Sequence, residues 1–223
     1  MKIKNFFKSV KLYLGEMPKS VAIITFFYIA FIYIISISQA VTEKRVSLSF
    51  YGIFGILIFM SELDLRMITN KFFASSARAK QLFTTVPVFV TLVYIILNNL
   101  IFTVIYALTL STEAFAQYLV ILSLMGACSL ICINIFRKNK LTIVSIIFFF
   151  LIIIYFSSWL KKNPDISFLS DISLPAAFVI SVLLYAAGTL ASLMILNFLW
   201  KKKSRVQLNQ MPLVFLQNSK ENN

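Results

Sequence analysis

Residues 86–108 read VPVFVTLVYIILNNLIFTVIYAL. The stretch carries no charge and no glycine, and its most polar side chains, Asn98 and Asn99, sit side by side near its middle. A helix needs about 20 mainly apolar residues to cross the hydrocarbon of a bilayer, and this run is long enough. Its apolar residues are continuous rather than alternating, which argues for a spanning helix and against a barrel strand.

Five more runs of this kind flank it: Val21 to Val41, Ser47 to Leu63, Ala116 to Phe136, Leu141 to Leu160 and Ala176 to Trp200. The composition agrees. Of 223 residues, 60% are apolar and 13% charged, against roughly 45–50% and 25% in a soluble domain. The mean hydropathy is +0.88. So much apolar surface cannot be buried in one soluble core of this size, and a disordered chain is excluded for the same reason. The expected fold is all-α: a polytopic membrane bundle of six transmembrane helices.

The charges orient the bundle. Of the 21 Lys and Arg, 17 fall in the N-terminal segment, the second loop, the fourth loop and the tail. Only Lys44, Arg45, Lys161 and Lys162 fall on the other side. Cytoplasmic segments are enriched in Lys and Arg, so both termini are expected inside. The net charge of +13 therefore reads as a topology signal and an attraction to anionic lipid, not as a nucleic-acid surface. Trp159 and Trp200 fall at opposite interfaces, where aromatic belts form.

Residues 1–20 precede the first span. Phe6, Val10 and Leu14 recur every four residues, while Lys4, Lys8 and Lys11 share another face. That spacing predicts a basic amphipathic helix lying in the inner interface, ended by Gly15 and Pro18. Residues 21–200 form the transmembrane domain, and 201–223 a cytoplasmic tail with an apolar patch from Met211 to Leu216.

Two loops interrupt the bundle. Residues 62–85, ELDLRMITNKFFASSARAKQLFTT, are too long for a tight turn between antiparallel helices. A helical extension, a break near Thr69-Asn70, and a short helix ending near Ser75-Ser76 are expected, with Arg78 and Lys80 leading back to the membrane. Such an element either sets topology alone or docks a cytoplasmic partner. Outside, residues 161–175, KKNPDISFLSDISLP, bracket Ile166, Phe168, Leu169 and Ile172 between prolines. They read either as short helices dipping into the outer leaflet or as a loop capping the bundle.

Catalytic and cofactor chemistry is not visible. There is no histidine, so no H-E-x-x-H site is possible, and no G-x-x-x-x-G-K-[ST] nucleotide loop occurs. No carboxylate lies in the middle of a span, which removes the usual marker of proton or sodium coupling. The chain does not read as an enzyme, and no cofactor or metal is expected in it. Cys128 and Cys132, one helical turn apart, are too few ligands for a metal site and read as small packing residues. Ala186, Ala187, Gly188, Ala191 and Ser192 read as a small face for close helix approach, within the bundle or across a dimer. Asn98 and Asn99, about 100° apart on a helix, are either interhelical ties or a polar strip on a substrate path.

This layout resembles the short permease subunits of type-2 ATP-binding-cassette exporters: a basic amphipathic helix, six spans with both ends inside, a long second loop and a long apolar last outer loop. The stretch NKFFASSARAKQLFTTVP (70–87) is similar in style to that family's cytoplasmic element between spans two and three. The resemblance implies that residues 62–85 are a coupling element docking a separate ATPase subunit, with Phe72 and Phe73 as apolar knobs and Arg66, Lys71, Arg78 and Lys80 as ionic positioning. It also implies a re-entrant outer hairpin at 161–175, a second permease copy or a related permease, ATP and Mg bound by the partner, a prokaryotic plasma membrane, and export of a hydrophobic or amphipathic substrate, peptide favoured over lipid or drug. The competing expectations are an ATP-independent substrate-binding subunit or facilitator and, further off, an integral membrane enzyme.

Overall fold

The computed structural model describes residues 3–43, 63, 78–136 and 172–202. Every described element is a helix. They are α1 (Ile3–Gly15), α2 (Lys19–Glu43), α3 (Ala79–Phe83), α4 (Thr85–Thr109), α5 (Thr112–Phe136) and α6 (Leu174–Lys202). Three stretches are long and apolar enough to cross a membrane, Ala79–Leu108, Thr112–Asn134 and Leu174–Trp200. A fourth results if the bent pair α1–α2 counts as one. At about 1.5 Å per residue, each of α2, α4, α5 and α6 exceeds the ~30 Å of hydrocarbon. The expected second and fifth spans lie outside the described residues. So do most of the loops at 62–85 and 161–175, and nearly all of the tail from 201.

Local chemistry sets the boundaries. α1 stops at Gly15, and Met17 N–H closes the turn onto the Leu14 carbonyl at 3.2 Å. Pro18 cannot continue a helix, having no N–H to donate. Its carbonyl instead accepts the first bond of α2, from Ala22 N–H at 3.0 Å. The two axes meet at 90°. If α2 crosses the membrane, α1 therefore lies in the membrane plane.

The third span begins earlier than expected. Arg78 and Lys80 are not a free lead-in: α3 starts at Ala79, with Ala79, Leu82 and Phe83 buried. The break between α3 and α4 is caused by Pro87, which has no N–H for the Phe83 carbonyl four residues back. Thr84 sits at the break with φ −124° and ψ −72°, and its hydroxyl donates to the Lys80 carbonyl at 2.6 Å. Pro87 itself is in the first turn of α4, where a missing donor costs little.

At the other end, Leu110 N–H bonds the Tyr106 carbonyl at 2.9 Å and ends α4. Ser111 then starts α5: its carbonyl accepts from Phe115 N–H at 2.8 Å and its hydroxyl from Ala114 N–H at 3.4 Å. Glu113 in the first turn suits the positive helix end. With only two residues between them, α4 and α5 run antiparallel.

Directions follow from the cross-contacts. Tyr33 meets Asn98 and Phe102 while α1 meets α3 and the start of α4, so α2 and α4 run the same way. Ser181 reaches the Leu119 carbonyl and Gly188 abuts Ala127, so α5 and α6 also run the same way, opposite to the first pair. α5 is the most buried of the three candidate spans and α6 the least. Phe83 of α3 stacks on Trp200 of α6 at 6.0 Å, which puts the start of the third span level with the end of the last.

Candidate functional site

The middle of the bundle holds a chain of side-chain hydrogen bonds that ties all four long helices. Tyr33 of α2 donates its phenol to Asn98 Oδ1 at 3.1 Å. Asn98 Nδ2 donates to Asn99 Oδ1 at 3.1 Å. Asn99 Nδ2 donates to the Leu122 carbonyl of α5 at 3.1 Å and, in a short contact, to the Tyr185 hydroxyl of α6. The Ser123 hydroxyl of α5 also bonds Tyr185.

Asn98 and Asn99 are 1% and 5% exposed, so water does not satisfy them; their neighbours do. In lipid a lone amide would cost several kcal/mol. That cost is what brings α2, α5 and α6 to the same level on α4. The helical offset of about 100° lets one asparagine turn to α2 while the other turns to α5 and α6.

Two glycines make the geometry possible. A Cβ on Gly126 of α5 would lie 2.8 Å from Asn99 Nδ2 and 2.9 Å from the Tyr185 hydroxyl. A Cβ on Gly188 of α6 would lie 3.1 Å from the Ala127 Cα, so α6 rides directly on the backbone of α5. On α6, Gly188, Ser181 and Ser192 are buried, while Ala186 and Ala187 are exposed in the single chain. Cys128 is exposed and Cys132 half-buried, and both are free.

Aromatic rings extend the tie toward the α4–α5 turn. Tyr33 meets Phe102 edge-on at 5.6 Å, Phe102 lies 6.0 Å from Tyr106, and Tyr106 6.0 Å from Tyr118. Most remaining hydroxyls bond back along their own helix, as Thr103 does to the Asn99 carbonyl at 2.7 Å and Ser129 to Met125 at 2.6 Å. Thr25, Thr91 and Ser192 are buried with hydroxyls that have no partner among the described residues.

Of the expected coupling residues, Arg66, Lys71, Phe72 and Phe73 lie outside the described residues. Arg78 is half-buried just before α3, and Lys80 is exposed on it. Among the described residues no cluster of His, Cys, Asp or Glu could hold a metal ion. Sequence alone singles out Asn98 and Asn99 but not Tyr33, Tyr185 and Gly126. The available signal was position: Tyr33 and Tyr185 fall mid-span, where an interfacial aromatic belt does not account for them.

No family model, curated protein or solved structure matches the chain.

Proposed function

We propose that the chain is the membrane-spanning permease subunit of an ATP-driven exporter, with six spans and both termini inside. It works beside a separate ATPase that binds ATP and Mg and beside a second permease, identical or related, in a prokaryotic plasma membrane. The cargo is hydrophobic or amphipathic, a peptide before a lipid or drug. The threading is supported by the helix directions. α2 parallel to α4, and α5 parallel to α6, leave room for one crossing between the members of each pair.

The observation that carries the reading is the seat of α1 on α3. The Ser9 hydroxyl donates to Gln81 Oε1 at 3.4 Å, and Phe6 meets Phe89 edge-on at 5.0 Å. Gln81 belongs to the arm that leaves the inner loop, so a push on residues 62–85 would reach both the third span and the in-plane helix. A partner can shift a permease only through contacts that differ between its states, and this elbow offers such contacts. In the same reading Asn98 and Asn99 line the substrate path, their amides exchanging interhelical partners for the polar groups of passing cargo.

Co-purification in mild detergent tests the motor contact. An ATPase subunit is expected with the wild-type chain and is expected to be lost from the double variant Phe72→Asp, Phe73→Asp, since removing buried apolar anchors costs about 1–3 kcal/mol each. Retention of the ATPase by that variant, or no ATPase with either chain, contradicts the coupling role.

A further inference from the structure

α1 presents three different surfaces. Phe6, Ser9, Val10 and Tyr13 face the protein; Ser9 and Tyr13 are fully buried, and Phe6 and Val10 half-buried. Lys8 and Lys11 are exposed and fall about 180° round the helix from that strip. Between the two strips, on one flank, lie Phe7 and Leu14, 57% and 39% exposed.

The 90° elbow gives these surfaces directions. With α2 crossing the membrane and α1 in its plane, one side of α1 rests on the bundle. The apolar flank with Phe7 and Leu14 then faces the hydrocarbon. The lysine strip points sideways, away from the protein, at headgroup depth. Lysines placed there are exposed at the depth of the lipid headgroups. They meet the headgroups of the lipids next to the bundle.

A second feature points the same way. Lys19 is exposed at the first position of α2, where the helix dipole disfavours a cation, and the first turn of α2 contains no acid. Glu16 is the one acidic residue between Ile3 and Lys19. Three exposed lysines at one elbow thus outnumber the single acid of that segment.

We infer that the exposed lysines at this elbow, Lys8 and Lys11 on α1 and Lys19 at the start of α2, form a binding site for anionic phospholipid, with the phosphate held by the ammonium groups and the acyl chains lying along Phe7 and Leu14. Because the opposite side of α1 is seated on α3 and α4, an occupied site holds the elbow closed. Such a site is independent of the cargo and of the motor.

The test is thermal unfolding of the full chain in neutral detergent, followed by tryptophan fluorescence, with added phosphatidylglycerol or phosphatidylcholine. Phosphatidylglycerol is expected to raise the midpoint by roughly 5 °C, phosphatidylcholine by much less, and 1 M NaCl should cut the difference, since salt screens exposed charges. The triple variant Lys8→Gln, Lys11→Gln, Lys19→Gln loses the response, and the matching triple Arg variant keeps it. An equal rise with phosphatidylcholine overturns the site, as does a response that survives in the Gln variant. Reproduction of the rise by free inorganic phosphate overturns its assignment to a lipid. If the Gln variant keeps the phosphatidylglycerol response but no longer retains an acidic protein that the wild type captures, the strip belongs to that protein and the lipid site is refuted.

Discussion

Gly126 of α5 lies against the Asn99 carboxamide: a Cβ there would stand 2.8 Å from Asn99 Nδ2. The same Cβ would be 2.9 Å from the Tyr185 hydroxyl and 3.0 Å from Ile95 Cγ2, so three side chains would have to give way together. Gly126→Ala should therefore disrupt the bonds to Leu122 and Tyr185. Overpacking costs about 1–3 kcal/mol, and the better helix propensity of alanine returns up to about 1 kcal/mol. A net loss of roughly 1–2 kcal/mol is expected, read as a lower unfolding midpoint in detergent micelles.

Gly188 and Ala186 make a matched pair, two residues apart on α6. Gly188→Leu would drive a side chain into the backbone of Ala127, which cannot rotate away. It should destabilise by about 3 kcal/mol or more. Ala186→Leu, on the exposed side, should stay within about 0.5 kcal/mol of wild type. Equal effects in the same unfolding assay would show that α6 does not turn its Gly188 face toward α5.

The tie itself is measurable by a double-mutant cycle. Interhelical hydrogen bonds in membranes average about 0.6 kcal/mol and reach about 1.7. Asn99→Ala with Tyr185→Phe should give a coupling energy in that range. Tyr33→Phe paired with Tyr185→Phe, which share no direct bond, should couple more weakly.

Thr91 offers a change of the opposite sign. Its side chain is fully buried and its hydroxyl has no partner among the described residues. Thr91→Val keeps the shape and removes the unpaired group, so it should be neutral or stabilising by up to about 1 kcal/mol. A clear loss of stability would mean that the hydroxyl is bonded in the folded protein.

The candidate spans among the described residues were legible because length and hydropathy alone decide them. The run read as 86–108 is α4 at Thr85–Thr109, and that read as 116–136 is α5 at Thr112–Phe136. The elbow was legible too, because Gly15 and Pro18 are backbone signals that need no tertiary context. Which side of a span faces inward was not. A helix that is apolar all round carries no periodicity to mark its buried face. That is why exposed Ala186, Ala187 and Cys128 were not told apart from buried Gly188 and Ser192. Asn98 and Asn99 escaped this limit because an amide must find a partner in lipid. The partners themselves, Tyr33 and Tyr185, depend on which helices meet, and no local pattern encodes that.

A motor push from the cytoplasm requires the α1–α2 elbow and the contact of α1 on α3 to lie inside and the α4–α5 turn outside. Single cysteines at Lys8, Lys80, Ser111 and Ser173, in a background with Cys128 and Cys132 changed to serine, test this with a membrane-impermeant maleimide. Ser111→Cys and Ser173→Cys should label in intact cells, and Lys8→Cys and Lys80→Cys only after the membrane is opened. Labelling of Lys80→Cys and Ser111→Cys from the same side would contradict the threading, and with it the inner elbow on which a motor could push.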